Sequence, residues 1–208
     1  MFGDGALTLR EFAMREPHPL ATIHDAVLEF LRGRDDAVLF GAQAVNAYVD
    51  EPRMTQDVDI LATRAAELGE ELRKHLEDRF QIAARVREAP GGKEFLVYQL
   101  RQPKNRHLAD VRQVSQFPPN QVIAEVHVLT VEELIAQKVI SSCLRHAEPK
   151  SDTDRRDLKV LLLAHPKLKA STGPVLDRLR ADGADEAAIA EWQRLAASEI
   201  RPEESDEY

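Results

Sequence analysis

The chain has 208 residues, 43% of them hydrophobic, with 36 acidic against 28 basic side chains and a formal charge of -8. That is the composition of a globular protein with a sizeable core, and its acidic balance excludes a general nucleic-acid coat while leaving room for a local basic cleft. A single cysteine, Cys143, excludes an intrachain disulfide and any paired-cysteine zinc site and fits a reducing cytoplasm.

Residues 1–19 carry mixed charge and two prolines, and read as an N-terminal arm with at most one short strand or turn. They lack the basic-then-apolar order of a secretory leader, and no apolar run approaches the roughly 20 residues of a membrane-crossing helix, so a cytoplasmic protein is expected. From Ala21 to Arg32, apolar Ile23, Val27, Phe30 and Leu31 recur at helical spacing, and Gly33 stands where a C-terminal cap belongs. The four apolar residues Ala37–Phe40 predict a buried strand ending at Gly41, followed by a short helix over 42–49. Asp57–Leu61 is the next strand, and Thr63 is placed to cap a helix running to Arg79.

Alternating apolar and polar residues predict strands over 80–87 and 94–100, joined as a hairpin through Ala89-Pro90-Gly91-Gly92. Two further strands are expected over 108–114 and 122–129. Thr130 and Glu133 have capping-box spacing, so a helix should run from Val131 to Leu144 or Arg145, with Glu133 reaching back to the cap. His146–Lys150 reads as a polar loop, and helices are expected over 152–165, 174–181 and 185–197. The acidic residues 201–208 suggest a disordered tail. An α+β core over residues 1–130, its mixed sheet flanked by helices, thus precedes a C-terminal helical cap over 131–200.

The chemistry concentrates in Phe40-Gly41-Ala42 and Arg53-Met54-Thr55-Gln56-Asp57-Val58-Asp59-Ile60. Gly41 falls between strand and helix, where a missing side chain lets backbone N–H groups approach a phosphate. Asp57 and Asp59 lie two apart on a predicted strand, so both carboxylates face one side and suit a hard cation such as Mg2+ or Mn2+. The bare D-x-D is weak by itself. Sixteen aspartates give about one such pair by chance, and Asp152-Thr153-Asp154 is another. Its weight comes from the order of strand, glycine, short helix, Arg53, and then D-x-D set among Val58, Ile60 and Leu61.

This order resembles the signature of the nucleotidyltransferase superfamily with the polymerase-β-like fold. It is nearest to the AbiEii/AbiGii toxin-type enzymes, whose pattern runs Gly-Gly or Gly-Ser, a short helix, then Arg-x-Thr-x-Asp-hydrophobic-Asp. Ala42 stands where that pattern has Gly or Ser. The resemblance implies a third metal-binding carboxylate on a later strand, for which Asp110 lies in the right region. It implies that Asp57, Asp59 and Asp110 bind Mg2+ or Mn2+, and that Gly41, Ala42, Arg53 and Thr55 belong to the nucleotide site. A second match is Leu134-Ile135-Ala136-Gln137-Lys138 followed by Asp154-Arg155-Arg156-Asp157-Leu158. Helical projection puts Lys138 on the packing face of its helix and Asp154 and Asp157 on that of the next, so the acids need a partner, with Lys138 and Arg145 nearest. By resemblance, Lys138 serves the triphosphate or proton transfer and Asp157 orients the lysine or braces the cap.

The activity so implied is transfer of a nucleoside monophosphate from an NTP to an acceptor hydroxyl on tRNA or protein, with release of pyrophosphate. Such an enzyme can be the toxin-like half of a toxin-antitoxin pair, with an antitoxin partner. Two alternatives stay open: a catalytically silent binding or regulatory module of the same fold, and a metal-dependent glycosyltransferase using D-x-D. The seven histidines show no metal-ligand spacing and read as surface or packing residues; His107 should face away from Asp110 on an ideal strand. Cys143 and Trp192 read as packing residues.

Overall fold

A computed structural model describes residues 18–202. The predicted arm over residues 1–17 and the tail over 203–208 lie outside the described residues. The chain divides into two compact units, one holding Glu51–Leu129 with the chain up to Ala47, the other Tyr48–Asp50 with the chain from Thr130 onward.

The first unit contains α1 (Leu20–Leu31), β1 (Ala37–Phe40), α2 (Gly41–Asn46), β2 (Val58–Ala62), α3 (Ala65–Phe80), β3 (Ala84–Glu88), β4 (Glu94–Gln99), β5 (Arg106–Gln113), β6 (Asn120–Ile123) and β7 (Val126–Leu129). The seven strands form one mixed sheet in the order β3-β4-β5-β2-β1-β7-β6. β2 runs parallel to β5 and β1 parallel to β7, while the remaining pairs are antiparallel. Val58, Ile60 and Ala62 turn to one face of the sheet and are fully buried. Neighbouring strands add Leu39, Val111 and Phe95 to that face in register. α3 lies over it, with Gly69 above Val86 and Phe95. The opposite face carries Asp59 beside Asp110 and Phe40, because directly paired residues point the same way.

Several elements depart from the sequence reading. α3 begins after Arg64 rather than being capped by Thr63. Gln113 of β5 supplies the cap, its Oε1 accepting from the Ala65 amide at 2.9 Å while its Nε2 donates to the Thr63 carbonyl at 2.7 Å. The helix continues to Phe80, and Gln81 stops it in the left-handed region at φ 52°, so β3 starts at Ala84 and not at residue 80. Residues expected to form one strand over 122–129 form a hairpin instead. Ala124 and Glu125 adopt φ of 48° and 67°, a turn that glycine or asparagine ordinarily announces, and the Glu125 carbonyl accepts from the Gly33 amide at 2.8 Å. α2 spans 41–46 rather than 42–49, and Asp57 precedes β2 instead of opening it.

The second unit holds α4 (Val131–Leu144), α5 (Pro149–Ala164), a 3-10 turn (Pro166–Leu168), α6 (Pro174–Ala181) and α7 (Glu186–Ala197). α4 packs against α5, α6 and α7. Leu134, Ile135, Val139, Leu161, Leu179 and the fully buried Trp192 make the core. Thr130 caps α4 by accepting from the Glu133 amide, as expected. Glu133 does not complete the box: it is buried and accepts from Gln137 and from Arg178 at 2.8 Å, which ties α4 to α6. Burial, aided by nearby Asp182, pushes the Glu133 carboxyl up against the opposing pull of Arg178. Pro149 opens α5, because proline needs no amide partner in a first turn, so the polar loop is shorter than the sequence suggests. Cys143 is only half-buried, although burial still raises its thiol pKa.

Candidate active site and metal centre

Gly41 is demanded by its surroundings. Its φ is +68°, and a Cβ placed there would lie 1.9 Å from Oδ2 of Asp59 and 2.5 Å from its Cγ. The strand β1 therefore hands over to α2 against the Asp59 carboxylate, and only a glycine leaves room for it. Asp59 is paired in register with Phe40 on one side and Asp110 on the other.

Asp57 and Asp110 meet through a residue that the sequence reading placed elsewhere. His107 Nδ1 lies 3.1 Å from Oδ2 of Asp57, and its Nε2 lies 2.7 Å from Oδ1 of Asp110. An ideal strand would send residues three apart to opposite faces. Here the register slips: Val97 pairs with Ala109 and Tyr98 with His107, leaving Leu108 without a partner. This bulge on β5 reverses the alternation, so His107 and Asp110 share a face. Adjacent Leu108 and Ala109 are both fully buried, and that apolar doublet is the one trace of the bulge in the sequence. Tyr98 stacks on the imidazole at 4.8 Å between ring centroids and fixes its plane.

One ligand atom from each of Asp57, His107 and Asp110 lies within 4.8 Å of the others, a spread suited to one metal ion. The carboxylates of Asp57 and Asp110 supply hard oxygen donors that suit a divalent cation, whereas the His107 ring meets one of them through each nitrogen and can offer an ion only one of the two. Burial alone would lower the His107 pKa, but the carboxylates of Asp110 and Asp57 outweigh it and push it up to about 10. The same face carries Arg112, whose guanidinium covers the Phe40 ring at 5.0 Å and pairs with Glu94 at 3.1 Å. Sequence reasoning missed His107, Tyr98 and Arg112, because all three join the site through strand pairing.

The segment before Asp57 is held by α2. Asn46 donates to the Arg53 carbonyl at 2.8 Å and accepts from the Arg53 amide at 3.1 Å. The Arg53 guanidinium donates to the Met54 carbonyl at 3.2 Å. Thr55 is buried with its hydroxyl 3.4 Å from His24 Nδ1, so it braces the loop on α1. His24, Asp25, Gln43, Asn46, Arg53 and Thr55 help to line a cleft of about 110 Å3. Ala42 is half-buried in the first turn of α2.

In the helical unit, Lys138 Nζ donates to Asp154 Oδ1 and Asp157 Oδ2, each at 2.8 Å, and all three side chains are buried. The acids on the packing face of α5 thus find the lysine on that of α4. With one ammonium between two carboxylates, Asp154 Oδ2 remains buried without a hydrogen-bond partner.

No known protein-family description matches the chain, and no curated protein matches its sequence. Solved structures do resemble it. The polyadenylate synthase of Megavirus superposes on 76% of this chain with a TM-score of 0.59 at 14% sequence identity. The fold is nucleotidyltransferase-like. The chain spans only 34% of that viral protein's length. JHP933 from Helicobacter pylori aligns over 92% of both chains, with a TM-score of 0.51 and 14% identity. An antigenic nucleotidyltransferase-like protein from Paracoccidioides brasiliensis covers 91% of this chain and 94% of its own, at 16% identity and a TM-score of 0.47. Among the described residues, no helix is long and apolar enough to cross a membrane.

Proposed function

We propose that the protein is a metal-dependent nucleotidyltransferase that moves a nucleoside monophosphate from an NTP to an acceptor hydroxyl. The observation that supports it is Asp59 paired in register with Asp110 and set against a strand-to-helix turn where only glycine fits, with Asp57 and Asp110 joined through His107. Asp57, Asp59 and Asp110 would hold Mg2+ or Mn2+, which when bound offsets the charge gathering on the triphosphate. The acceptor oxygen bonds to the α-phosphorus, the bond from that phosphorus to the bridging oxygen breaks, and pyrophosphate leaves. Asp110 takes the hydroxyl proton as general base. Backbone amides at Gly41 and Ala42 serve the phosphates, with Arg53 adding charge and Thr55 holding the loop. Lys138 is assigned to the triphosphate charge and Asp157 to its orientation.

The acceptor we infer is a hydroxyl of tRNA or of a protein side chain, and the role a toxin-like one restrained by an antitoxin, in the manner of the AbiEii/AbiGii enzymes that the sequence motifs resemble. A second reading, a silent module of the same fold, draws on the His107 bridge between two of the three acids. Calorimetric titration of each NTP with Mg2+ or Mn2+ separates them. Metal-dependent binding by the native chain that disappears in the Asp57→Ala/Asp59→Ala variant, followed by label transfer to RNA or protein, is the expected result. Absence of NTP binding by the intact chain would favour the silent module.

A further inference from the structure

The sheet face that carries the acids continues past them onto β4 and β3. Cross-strand partners point the same way, so the register extends that face in two rows: Asp110, Leu96 and Arg87 in one, His107, Tyr98 and Arg85 in the other. Lys104 stands exposed in the loop that joins β4 to β5 at the Tyr98 end. The opposite face of these strands is covered by α3, and Glu88, paired with Phe95, turns to that covered side.

Arg85 and Arg87 are exposed, and their cross-strand partners are Tyr98 and Leu96 rather than acids. Glu94, diagonal to Arg87, is already engaged by Arg112 at 3.1 Å. Among the described residues, neither Arg85 nor Arg87 has a side-chain hydrogen bond or ion pair. A chain of net charge -8 repels a polyanion over most of its surface, so two unneutralised guanidinium groups on the open face beside the acids give it one place to land. Guanidinium groups hold phosphate oxygens in paired hydrogen bonds, and aromatic side chains on an open sheet face stack unpaired bases. Two residues apart on β3, the arginines are spaced about 7 Å, close to the phosphate repeat of an extended nucleic-acid strand.

We propose that this face is the docking surface for a single-stranded RNA end. Arg85 and Arg87 grip its phosphates, Tyr98 and Leu96 lie beneath its bases, and its terminal hydroxyl is delivered to Asp110. Two strand spacings, about 10 Å, separate Arg87 from Asp110, so the arginines engage phosphates upstream of the terminal ribose and take no part in the chemistry. Delivery of the hydroxyl rests on the nucleotidyl transfer proposed above and narrows its acceptor to RNA; the docking surface itself does not depend on it.

The test uses the full chain and a short fluorescein-labelled single-stranded RNA with a free 3′ hydroxyl, followed by fluorescence anisotropy across a salt series. Wild type is compared with Arg85→Gln/Arg87→Gln and with Lys74→Gln/Arg79→Gln, which removes two cations from α3 on the covered side. Calorimetry with NTP and Mn2+ runs in parallel, and thermal melting confirms folding. Neutralising the two β3 arginines should weaken RNA binding about tenfold or more at low salt and flatten the logarithmic salt slope by about 1.4, the release of two counterions at about 0.7 each. NTP binding by that variant, and RNA binding by the α3 variant, should stay within about twofold of wild type. RNA binding unchanged by the β3 variant, equal losses in both variants, or no RNA binding by a wild type that binds NTP would overturn the docking surface. Label passing from NTP to protein and never to RNA would overturn the RNA acceptor as well. The expected RNA pattern without NTP binding would uphold the docking surface and overturn the nucleotidyl transfer.

Discussion

Gly41→Ala tests the geometry of the site at a single atom. The new methyl would lie 1.9 Å from Asp59 Oδ2, 2.5 Å from its Cγ and 2.8 Å from its Cβ, on a backbone with φ of +68°. Holding a non-glycine residue in that region costs about 1–2 kcal/mol. Pushing the Asp59 side chain off its rotamer costs about 0.5–1.5 kcal/mol more. The expected loss is about 1.5–3.5 kcal/mol, which in a chain of this length lowers the melting temperature by about 3–14 °C. Because the Asp59 carboxylate must move, Mn2+ binding should also weaken at least about tenfold. Asp59→Ala removes the two closest clashing atoms, so a double-mutant cycle should return a coupling of about 1 kcal/mol between the positions. Calorimetry and urea denaturation on the four proteins measure both quantities. If Gly41→Ala costs the same in both backgrounds and leaves Mn2+ affinity unchanged, the close approach of turn and carboxylate is refuted.

Two further outcomes concern charge. Lys138→Met should destabilise the helical unit by about 3–5 kcal/mol, because Asp154 and Asp157 would be left buried without their cation. Adding Asp154→Asn and Asp157→Asn should recover much of that loss. Trp192, fully buried in the same unit, reports the transition by fluorescence in urea, and equal stability of the single and triple variants would contradict this account. The second outcome is pH-dependent. Arg34 holds the Asp36 carboxyl below its ordinary range through paired contacts of 2.8 and 2.9 Å, against the effect of partial burial. A lowered acid contributes stability above its unfolded pKa of about 3.9 and loses it as pH falls through the lower folded value. For so exposed a pair the contribution is under about 1 kcal/mol. The urea midpoints of wild type and Asp36→Asn should therefore differ at pH 7 and converge as the pH falls through the lowered Asp36 value; a gap unchanged by acid would argue against the pairing.

Local pattern made much of this protein legible. The apolar run Ala37–Phe40, the helical spacing after Leu20 and the Thr130 cap each act within a few residues, so sequence is enough to place them. The acids at 57, 59 and 110 were visible as candidates because D-x-D alternation and strand order are also local. The α3 cap was not, since Gln113 reaches it from 48 residues away. The hairpin over 120–129 was hidden because Ala124 and Glu125 make a turn that their residue types do not advertise.

The division between sequence and tertiary structure is sharpest at His107. By itself the sequence determined an α+β chain, a glycine turn followed by paired aspartates, and a lysine and two acids on helix faces that must pack. Alternation, helical periodicity and the cost of burying charge are short-range rules, and they suffice for those features. Only the tertiary structure decided that the lysine meets both acids and that Gly41 must yield space to Asp59. It also decided that a slipped register on β5 turns an apparently ordinary histidine toward Asp57 and Asp110. Register is a relation between strands, and one extra residue reverses every side chain beyond it.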